Sequence, residues 1–499
     1  MDILANLALG WQVAVSPGNL FYCFTGALIG TLIGVLPGIG PVQTLAILLP
    51  TTFSLPPTSA LIMLAGIYYG AQYGGSTTSI LVNIPGEASS VVTCLDGYQM
   101  ARRGRAGAAL TISALGSFFA GCFATALLAA MAAPLAEIAF KFGPAEYFSL
   151  MLFGLIGSVV LASGSLLKAL NMIILGLLLG LVGTDVTSGV QRFVFGIPEL
   201  ADGLGFVALA MGLFGLSEII TSIESQKTRE VMTSRLKGFG MTREEMKEAS
   251  PAVFKGTLIG SLLGILPGGG AILASFTAYM IEKKFSRRPE TFGQGNIRGV
   301  ASPEAANNAA AQTSFIPLLT LGIPPNVVLA MMAGAMMIHG VQPGPRVISS
   351  NPDLFWGVIV SMWVGNLMLV ILNLPLIGLW VKLLSIPYRW LYPAILSFCC
   401  LGLYSTNNNT FDIGLTAFFG FLGYLFKKLE CEPAPLLLGF ILGPMMEENL
   451  RRAMLLSRGD ISVLVTRPLS LLFLILAAAM LIMAVLPKVN RGREEAFPG

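Results

Sequence analysis

The sequence predicts an all-α polytopic membrane protein, and this prediction rests on composition, on apolar stretches and on an internal repetition. The chain has 499 residues, of which 55% are hydrophobic and only 11% are charged, whereas a soluble domain carries roughly 25% charged residues. So few charges cannot cover a surface that faces water. Stretches of about 20 apolar residues, the length that crosses a bilayer, recur along the chain. Examples are residues 145–162, 166–184, 203–222, 354–381 and 469–487.

The charged and reactive residues exclude several classes of function. The net charge is +4, and the basic residues lie in short loops rather than in one patch, so nucleic acid is not an expected partner. The six cysteines form no CxxC pair, which predicts neither a disulfide framework nor a metal site. His339 is the single histidine, so histidine triads, HExxH zinc sites and histidine proton relays are excluded. The sequence has no GxxxxGK[ST] phosphate loop, which excludes ATP hydrolysis by that route.

The longest charged stretch, residues 223–250, divides the chain almost in half. We interpret it as a cytoplasmic linker between two membrane repeats, residues 1–222 and 251–499. Only Asp2 is charged before residue 20, whereas residues 223–255 are rich in Lys and Arg. By the positive-inside bias, the first half begins outside and the second begins inside. The two halves are therefore expected to be inverted repeats. The N-terminal segment lacks a basic n-region and a cleavage site, so its removal as a signal peptide is not expected.

Two pairs of motifs indicate an internal duplication. GALIGTLIGVLPGIGP at residues 26–41 matches KGTLIGSLLGILPGGGA at residues 255–271, and the Leu-Pro-Gly triplets are offset by 230 residues (266 − 36). NIPGE at residues 83–87 matches GIPPN at residues 322–326, with an offset of 239 residues (323 − 84). The same order at similar offsets is typical of a duplicated unit.

Proline and glycine interrupt apolar sequence at all four motifs. Proline removes a backbone donor and clashes with the preceding turn, while glycine frees the φ angle. Each half should therefore contain broken helices or re-entrant hairpins that meet near the bilayer midplane. Pro and Gly are also common in transmembrane helices in general, but polar residues accompany these breaks. Paired breaks in two halves indicate the binding site of a transporter.

Hydroxyl and amide groups near the breaks form the predicted solute site. Together with the N–H groups of helix N-termini they can hold a carboxylate, and their oxygens could coordinate Na⁺. The alternative is that each hydroxyl bonds back to its own helix and that the small residues only pack helices closely. The predicted substrate-binding residues are Gly38, Gly40, Ser76, Thr77, Thr78, Asn83, Pro85, Gly86, Gly268, Gly269, Asn307, Asn308, Thr313, Gly322, Pro324 and Asn326.

Carboxylates beside the breaks are candidates for ion coupling, because an ionisable group inside a membrane is a functional candidate by default. The coupling ion is Na⁺ or H⁺, and no other cofactor is expected. Its candidate ligands are Glu87, Asn83, Glu304 and Asn308. Asp96 also lies beside a break, whereas Asp185, Glu218, Glu447 and Glu448 are expected at the membrane interface.

These motifs resemble those of the large membrane subunit, TctA type, of the bacterial tripartite tricarboxylate transporters, over essentially the whole chain. The resemblance is carried by residues 34–40, 73–87, 96–104, 303–309 and 321–324. One departure is Pro325, where the family pattern has glycine.

The resemblance implies a secondary transporter of the inner membrane that imports small di- or tricarboxylates such as citrate. A periplasmic solute-binding protein and a small membrane subunit of about four helices would be its partners. A membrane-embedded enzyme and a channel are the alternatives. The enzyme would need a histidine pair, a carboxylate dyad or an activated nucleophile, and the channel would need no paired breaks.

Overall fold

The structure, a computed structural model, describes residues 3–36, 40–161, 165–185, 188–224, 240–266, 270–383 and 409–485, with isolated positions between 393 and 404. Its regular structure is helical except for one short antiparallel pair, β1 (Gly183–Thr184) with β2 (Gln191–Arg192). The predicted all-α class is therefore confirmed.

The helices up to the charged stretch 223–250 are α1 (Ile3–Ala14), α2 (Pro17–Gly34), α3 (Pro41–Leu48), α4 (Pro57–Val82), α5 (Val91–Thr93), α6 (Gln99–Arg102), α7 (Ala106–Ala139), α8 (Pro144–Leu161), α9 (Leu166–Gly180), α10 (Phe206–Ala210) and α11 (Ser217–Glu224). Wider π turns, Cys94–Tyr98 and Met211–Leu216, connect α5 to α6 and α10 to α11. Tighter 3-10 turns are Leu49–Thr52, Ala88–Ser90, Pro198–Leu200 and Pro289–Thr291.

The later helices are α12 (Arg243–Ile265), α13 (Gly270–Lys284), α14 (Arg298–Thr313), α15 (Phe315–Leu321), α16 (Val327–Ile338), α17 (Val347–Ser350), α18 (Pro352–Asn373), α19 (Ile377–Leu383), α20 (Thr410–Lys428), α21 (Ala434–Leu456), α22 (Val463–Thr466) and α23 (Pro468–Val485).

Two helices in the described part of the chain, α7 and α18, are long and apolar enough by themselves to cross a membrane. The pair α1 and α2 is bent by 76° and could form a third span. Other predicted spans appear as shorter apolar helices, among them α8 and α9. The stretch at residues 203–222 is divided among α10, a π turn and α11.

The centre of the molecule is formed by α4 and α14. Every residue of α4 from Ser59 to Val82 is buried, and so is every residue of α14 from Gly299 to Thr313. Complete burial accounts for the small and apolar residues on all sides of α4. Polar side chains in these two helices must therefore find partners inside the protein.

Rows of glycines pack α2 against α4 and α12 against α14 in the same way. A Cβ atom at any of these glycines would collide with backbone of the facing helix, so the helices approach as closely as backbone allows. The contacts are Gly26–Met63, Gly30–Ile67 and Gly34–Ala71 in the first pair, and Gly256–Ser302, Gly260–Ala306 and Gly264–Ala310 in the second. The glycines correspond at an offset of 230 residues and their partners at 239, the two offsets that the motifs have.

The chain leaves the helix at equivalent positions of the two halves. Asn83 ends α4 with φ 58°, and Gly322 ends α15 with φ 76°. The next helical segments start after Glu87 (φ −144°, ψ 166°) and Asn326 (φ −150°, ψ 172°). Both pairs correspond at the 239-residue offset, so the broken backbone that the motifs predict is present at these four residues.

The halves also pack on each other reciprocally. Helix α3 contacts α16, while its counterpart α13 contacts the turn Ala88–Ser90. Helix α18 contacts α4, and α7 contacts α14. The ends of the broken segments of one half therefore lie against the other half.

Candidate functional site

A line of polar side chains, here called the polar seam, joins α4 to α14. Gln72 and Ser76 are one turn apart on α4, and Glu304 and Asn307 are about one turn apart on α14, so each pair shares a helix face. Ser76 Oγ lies 2.7 Å from Glu304 Oε2, and Gln72 Nε2 donates to Asn307 Oδ1 at 3.1 Å. The seam thus connects the two central helices through hydrogen bonds.

Glu304 is held by hydroxyl groups from three segments. In addition to Ser76, Ser113 of α7 donates to Oε2 at 3.0 Å, and the Thr93 hydroxyl of α5 donates to Oε1. Its residue exposure is 1%. Among the described residues, Glu304 forms no ion pair with a basic side chain. A buried carboxylate without a countercharge is costly unless a proton or a cation binds to it.

Glu87 continues the seam at the tip of the first half. Its Oε1 accepts from Asn307 Nδ2 at 3.0 Å and also from the Ser89 hydroxyl. Because Asn307 accepts from Gln72 as well, its amide connects Glu87 to α4. Gln72 Oε1 is buried and has no hydrogen-bond partner in the described part of the chain.

Several predicted residues face away from the seam. Asn308 donates to Ser117 Oγ at 2.7 Å and to the carbonyl of Glu304 at 3.1 Å. Thr77 and Thr313 donate to the carbonyls of Tyr73 (3.2 Å) and Ala309 (3.1 Å) on their own helices. For these two threonines the local alternative therefore describes the observed contact. Thr77 also lines a small cavity with Tyr73, Leu110, Ser113, Ala114, Asn373, Leu374 and Ile377.

The hydroxyl of Thr78 joins two helices. It donates to the carbonyl of Val35 at 2.8 Å, just after the end of α2, and to Gly74 of its own helix at 3.2 Å. It therefore pairs a backbone group at the place where α2 breaks.

The tip of the first half contains the predicted Asn83, Pro85 and Gly86. Asn83 is exposed and Pro85 half-buried, whereas Gly86 is packed so closely that a Cβ atom there would collide with Gly75 and with the carbonyl of Gly34. The tip of the second half contains Gly322, Pro324 and Asn326. A Cβ atom at Gly322 would lie 2.6 Å from the carbonyl oxygen of Pro343, and Pro324 is buried.

Each tip lies beside the start of another helix. A methyl group at Gly40, before α3, would lie 3.6 Å from Glu87 Cβ, and one at Gly270, the first residue of α13, would lie 3.6 Å from Asn326 Cβ. These pairs correspond at the two constant offsets. Asn326 caps α16 by accepting from Leu329 N at 3.0 Å. Equivalent positions therefore carry a carboxylate in one half and a neutral amide in the other. The predicted residues Gly38, Gly268 and Gly269 lie outside the described residues.

Sequence reasoning missed Gln72, Thr93 and Ser113. Helical spacing could have indicated Gln72, because it lies one turn before Ser76 on a helix with polar groups. Thr93 and Ser113 reach Glu304 only because α5 and α7 fold against α14. No local signal identifies them.

Asp96 has a structural explanation. Its Oδ1 accepts from the N–H groups of Gly293, Gly295 and Asn296 at 2.7–2.9 Å, and Tyr279 donates to its Oδ2 at 3.0 Å. Three amides around one oxygen form an anion-binding nest. Asp96 thus fastens the loop before α14.

The four carboxylates expected at the interface are ion-paired near helix ends. Asp185 lies 3.0 Å from Arg451, and Glu447 lies 2.9 Å from Arg192. Glu218 pairs with Lys427, and Glu448 pairs with Arg452. These contacts stabilise helix packing and need no functional explanation.

Comparison with known proteins identifies the family. The family model "Tripartite tricarboxylate transporter TctA family" matches residues 20–438. An Agrobacterium vitis protein described as "Uncharacterized 52.8 kDa protein in TAR-I ttuC' 3'region" is 57% identical over 497 residues, which are 100% of this chain and 99% of that protein. A second protein of that species, "Uncharacterized protein in TAR-II ttuC' 3'region", is 60% identical over 238 residues, 48% of this chain and 98% of its own length. No solved structure matches. With its fold and more than half of its length matched, the chain belongs to the tripartite tricarboxylate transporter TctA family.

Proposed function

We propose that this chain is the solute-translocating subunit of a secondary transporter that imports small di- or tricarboxylates across the bacterial inner membrane. The observation that carries the proposal is the polar seam, where hydroxyls, amides and two carboxylates meet between buried helices and beside broken backbone. A membrane protein retains such expensive groups where solute or ions pass. Membership of a tripartite transporter family supports the same function.

The architecture that we propose is a pair of inverted repeats with the seam between them. The constant offsets of 230 and 239 residues and the reciprocal packing of α3 on α16 and α13 on Ala88–Ser90 support it. A pseudo-two-fold axis would exchange these contacts. The linker 223–250 would then separate the repeats.

The solute carboxylate is best accommodated at the tip of the second half. Helices α13 and α16 both begin there, at Gly270 and after Asn326. The N-terminal ends of helices attract anions through free N–H groups and the helix dipole. In the first half, the internal carboxylate of Glu87 occupies the equivalent position. The neutral Asn326 leaves the second tip available for an external carboxylate, with Asn307 between the two tips.

Import against a gradient requires a coupling ion and a source of solute. We propose Na⁺ or H⁺ as the ion, because the seam contains carboxylate, hydroxyl and amide groups that suit either. A periplasmic solute-binding protein would deliver the solute, and a small membrane subunit would complete the complex, as the tripartite family implies.

Uptake by vesicles that contain the complete complex tests the proposal. A panel of citrate, succinate and other carboxylates is offered while a sodium or a proton gradient is imposed separately. We expect saturable accumulation of at least one carboxylate with one of the gradients. Rapid equilibration without accumulation would indicate a channel, and the absence of carboxylate uptake with either gradient would remove the proposed function.

Replacement of the amides tests the location of the site. Asn307→Ala and Asn326→Ala should each weaken carboxylate affinity about tenfold to a hundredfold, the equivalent of one lost hydrogen bond to a charged group at about 1.5–3 kcal/mol. Ser165→Ala, at the exposed start of α9, is the control. Wild-type affinity in both variants, with normal membrane abundance, would place the solute elsewhere.

A further inference from the structure

We infer that Glu304 is a proton-binding site that alternates between two fully hydrogen-bonded states, with Ser76 as its switch. This inference rests on the proposed function and specifies its coupling ion as H⁺. It is carried by the geometry around Glu304 and by the unpartnered Gln72 Oε1 in the same seam.

Ser76 has two acceptors for a single hydroxyl hydrogen. Its Oγ lies 2.7 Å from Glu304 Oε2 and 3.0 Å from the carbonyl oxygen of Gln72. A hydroxyl has one donor and two acceptor positions. If Glu304 is ionised, Ser76 donates to its carboxylate. If Oε2 carries a proton, Glu304 donates to Ser76 Oγ, and Ser76 turns its own hydrogen to the carbonyl of Gln72.

The other donors are satisfied in both states. Thr93 donates to Oε1, and Ser113 donates to Oε2 at 3.0 Å, where the second lone pair remains available after protonation. The step therefore forms one O–H bond with a proton from water on one side of the membrane. The same bond breaks when the proton returns to water on the other side, and no other reactant is needed.

The spacing of the oxygens favours a proton over a metal ion. Oxygen ligands lie about 2.3–2.6 Å from Ca²⁺, an ion close to Na⁺ in size, so oxygens that share such an ion are roughly 3 Å or more apart. The hydroxyls of Ser76 and Thr93 are closer to the Glu304 carboxyl than that. These oxygens contact each other directly rather than surrounding a cation.

The titratable groups that face Glu304 are acidic. Glu87 at the tip, Tyr73 of α4 and Cys94 after α5 all interact with its charge. Toward the start of α14, the amide nest of Asp96 and the pairs of Glu282 with Lys255 and Arg298 already stabilise the other carboxylates. Proton binding is thus the change that removes the uncompensated negative charge from the seam.

Coupling to the solute follows from charge. An ionised Glu304 beside Asn307 and Glu87 repels a carboxylate solute, since like charges at short range in a buried site repel strongly. Protonation removes this repulsion, so solute and proton bind together. The equivalent position in the first half is Ala65 (304 − 65 = 239), so the proton site is present once per chain.

Infrared difference spectroscopy on the purified chain tests proton binding without any solute. Between acidic and alkaline buffers, the wild-type chain should gain and lose a protonated carboxyl band that is absent in Glu304→Gln. The matched control is Glu137→Gln, an exposed glutamate of α7. If Glu304→Gln lowers protein abundance, Glu304→Asp serves instead, because a shortened carboxyl must displace the band. A band that stays unchanged in Glu304→Gln or Glu304→Asp would overturn the inference.

Transport measurements with radiolabelled citrate and succinate test the coupling. Wild-type solute affinity should weaken about tenfold per pH unit above the point at which Glu304 loses its proton, as linkage of one proton to one solute requires. Glu304→Gln should bind and exchange solute without pH dependence and without accumulation. Accumulation driven by sodium at clamped pH, indifferent to a proton gradient, would overturn the inference while the proposed function stood. The absence of wild-type uptake would remove the proposed function, and the infrared result would still decide on the proton site.

Discussion

Asn83 and Gly322 show how one backbone conformation is obtained with different residues. Both have positive φ, which glycine adopts freely and asparagine tolerates better than other residues. The side chain of Asn83 is exposed at the end of α4. The amide can therefore be removed without disturbing the turn, and this separates its role in binding from its role in the backbone.

We predict that Asn83→Gly keeps normal abundance but loses about tenfold in solute affinity, because the backbone is preserved and one amide is lost. Asn83→Ala should also be less stable, by about 1–2 kcal/mol, since alanine is strained at positive φ. Thermal unfolding and solute binding of the two variants provide the comparison. Unchanged affinity in Asn83→Gly would restrict Asn83 to a backbone role.

Pro325 does not disturb the tip that contains it. The left-handed Gly322 and the cap Asn326 have the same backbone angles as their counterparts in the first half. Gly86, the residue equivalent to Pro325, does not have positive φ, so proline fits the same path. The first tip uses glycine for a different reason, namely the close contact of Gly86 with Gly75.

This difference predicts opposite effects of the same substitution. Gly86→Ala should lower stability by about 1–3 kcal/mol, the typical cost of overpacking, because its Cβ atom meets backbone. Pro325→Ala should cost only about 0.4–1 kcal/mol through the entropy of the unfolded chain. Membrane abundance and thermal unfolding in detergent measure both. Equal effects of the two substitutions would contradict the proposed equivalence.

At the scale of elements, the glycine rows determine how closely the two central pairs of helices approach. Gly30→Ala in α2 and Gly260→Ala in α12 should each destabilise by about 1–3 kcal/mol, because backbone rather than a flexible side chain opposes the added methyl group. Gly18→Ala, in α2 but with open space around it, is the control. The thermal midpoint of each purified variant decides. A Gly260→Ala protein as stable as the Gly18→Ala control would show that the pair α12 and α14 tolerates separation.

Ion pairs indicate that several basic loops share one side. Arg105 lies 2.5 Å from Glu245 near the start of α12, and Lys255 of α12 lies 3.5 Å from Glu282 near the end of α13. The chain therefore turns back between α12 and α13, as a re-entrant hairpin would. The loops after α6 and α13 accordingly lie on the side of the linker 223–250.

We predict that cysteines placed at Arg103 and Arg288 are labelled only from the cytoplasm, because basic loops remain inside. A cysteine at Phe195, which is 84% exposed in the loop after α9, should be labelled from outside. The three helices α7, α8 and α9 separate the two regions and cross in alternating directions. Labelling of the Arg103 position by an impermeant reagent in intact cells would reverse the proposed orientation.

At the scale of the whole molecule, the described chain consists of helices joined by short connections, and no described segment forms a separate domain that could capture solute. We predict that the chain alone, reconstituted in liposomes, does not accumulate carboxylates, and that adding the small membrane subunit and the binding protein restores uptake. Flux is measured with the same solute panel. Equal rates with and without the partners would show that the chain is self-sufficient.

The sequence predicted the helical class and the positions of the broken backbone because these depend on local composition and on Pro and Gly. It did not predict which polar groups meet. Ser76, Thr77 and Thr78 are equivalent by composition, yet successive residues of a helix point about 100° apart, so only Ser76 reaches Glu304. Thr93 and Ser113 join Glu304 through tertiary packing, which no local pattern encodes.

The two constant offsets also record a history. They differ by nine residues (239 − 230 = 9), and the change occurs between Gly270, which follows Gly40 by 230, and Ser302, which follows Met63 by 239. The additional residues therefore entered the segment that contains the amides around Asp96. The counterpart of Asp96 is Ala335 (335 − 96 = 239), so the carboxylate and its nest are both confined to one pairing. An ancestral gene doubled first, and the clasp between the copies was acquired afterwards.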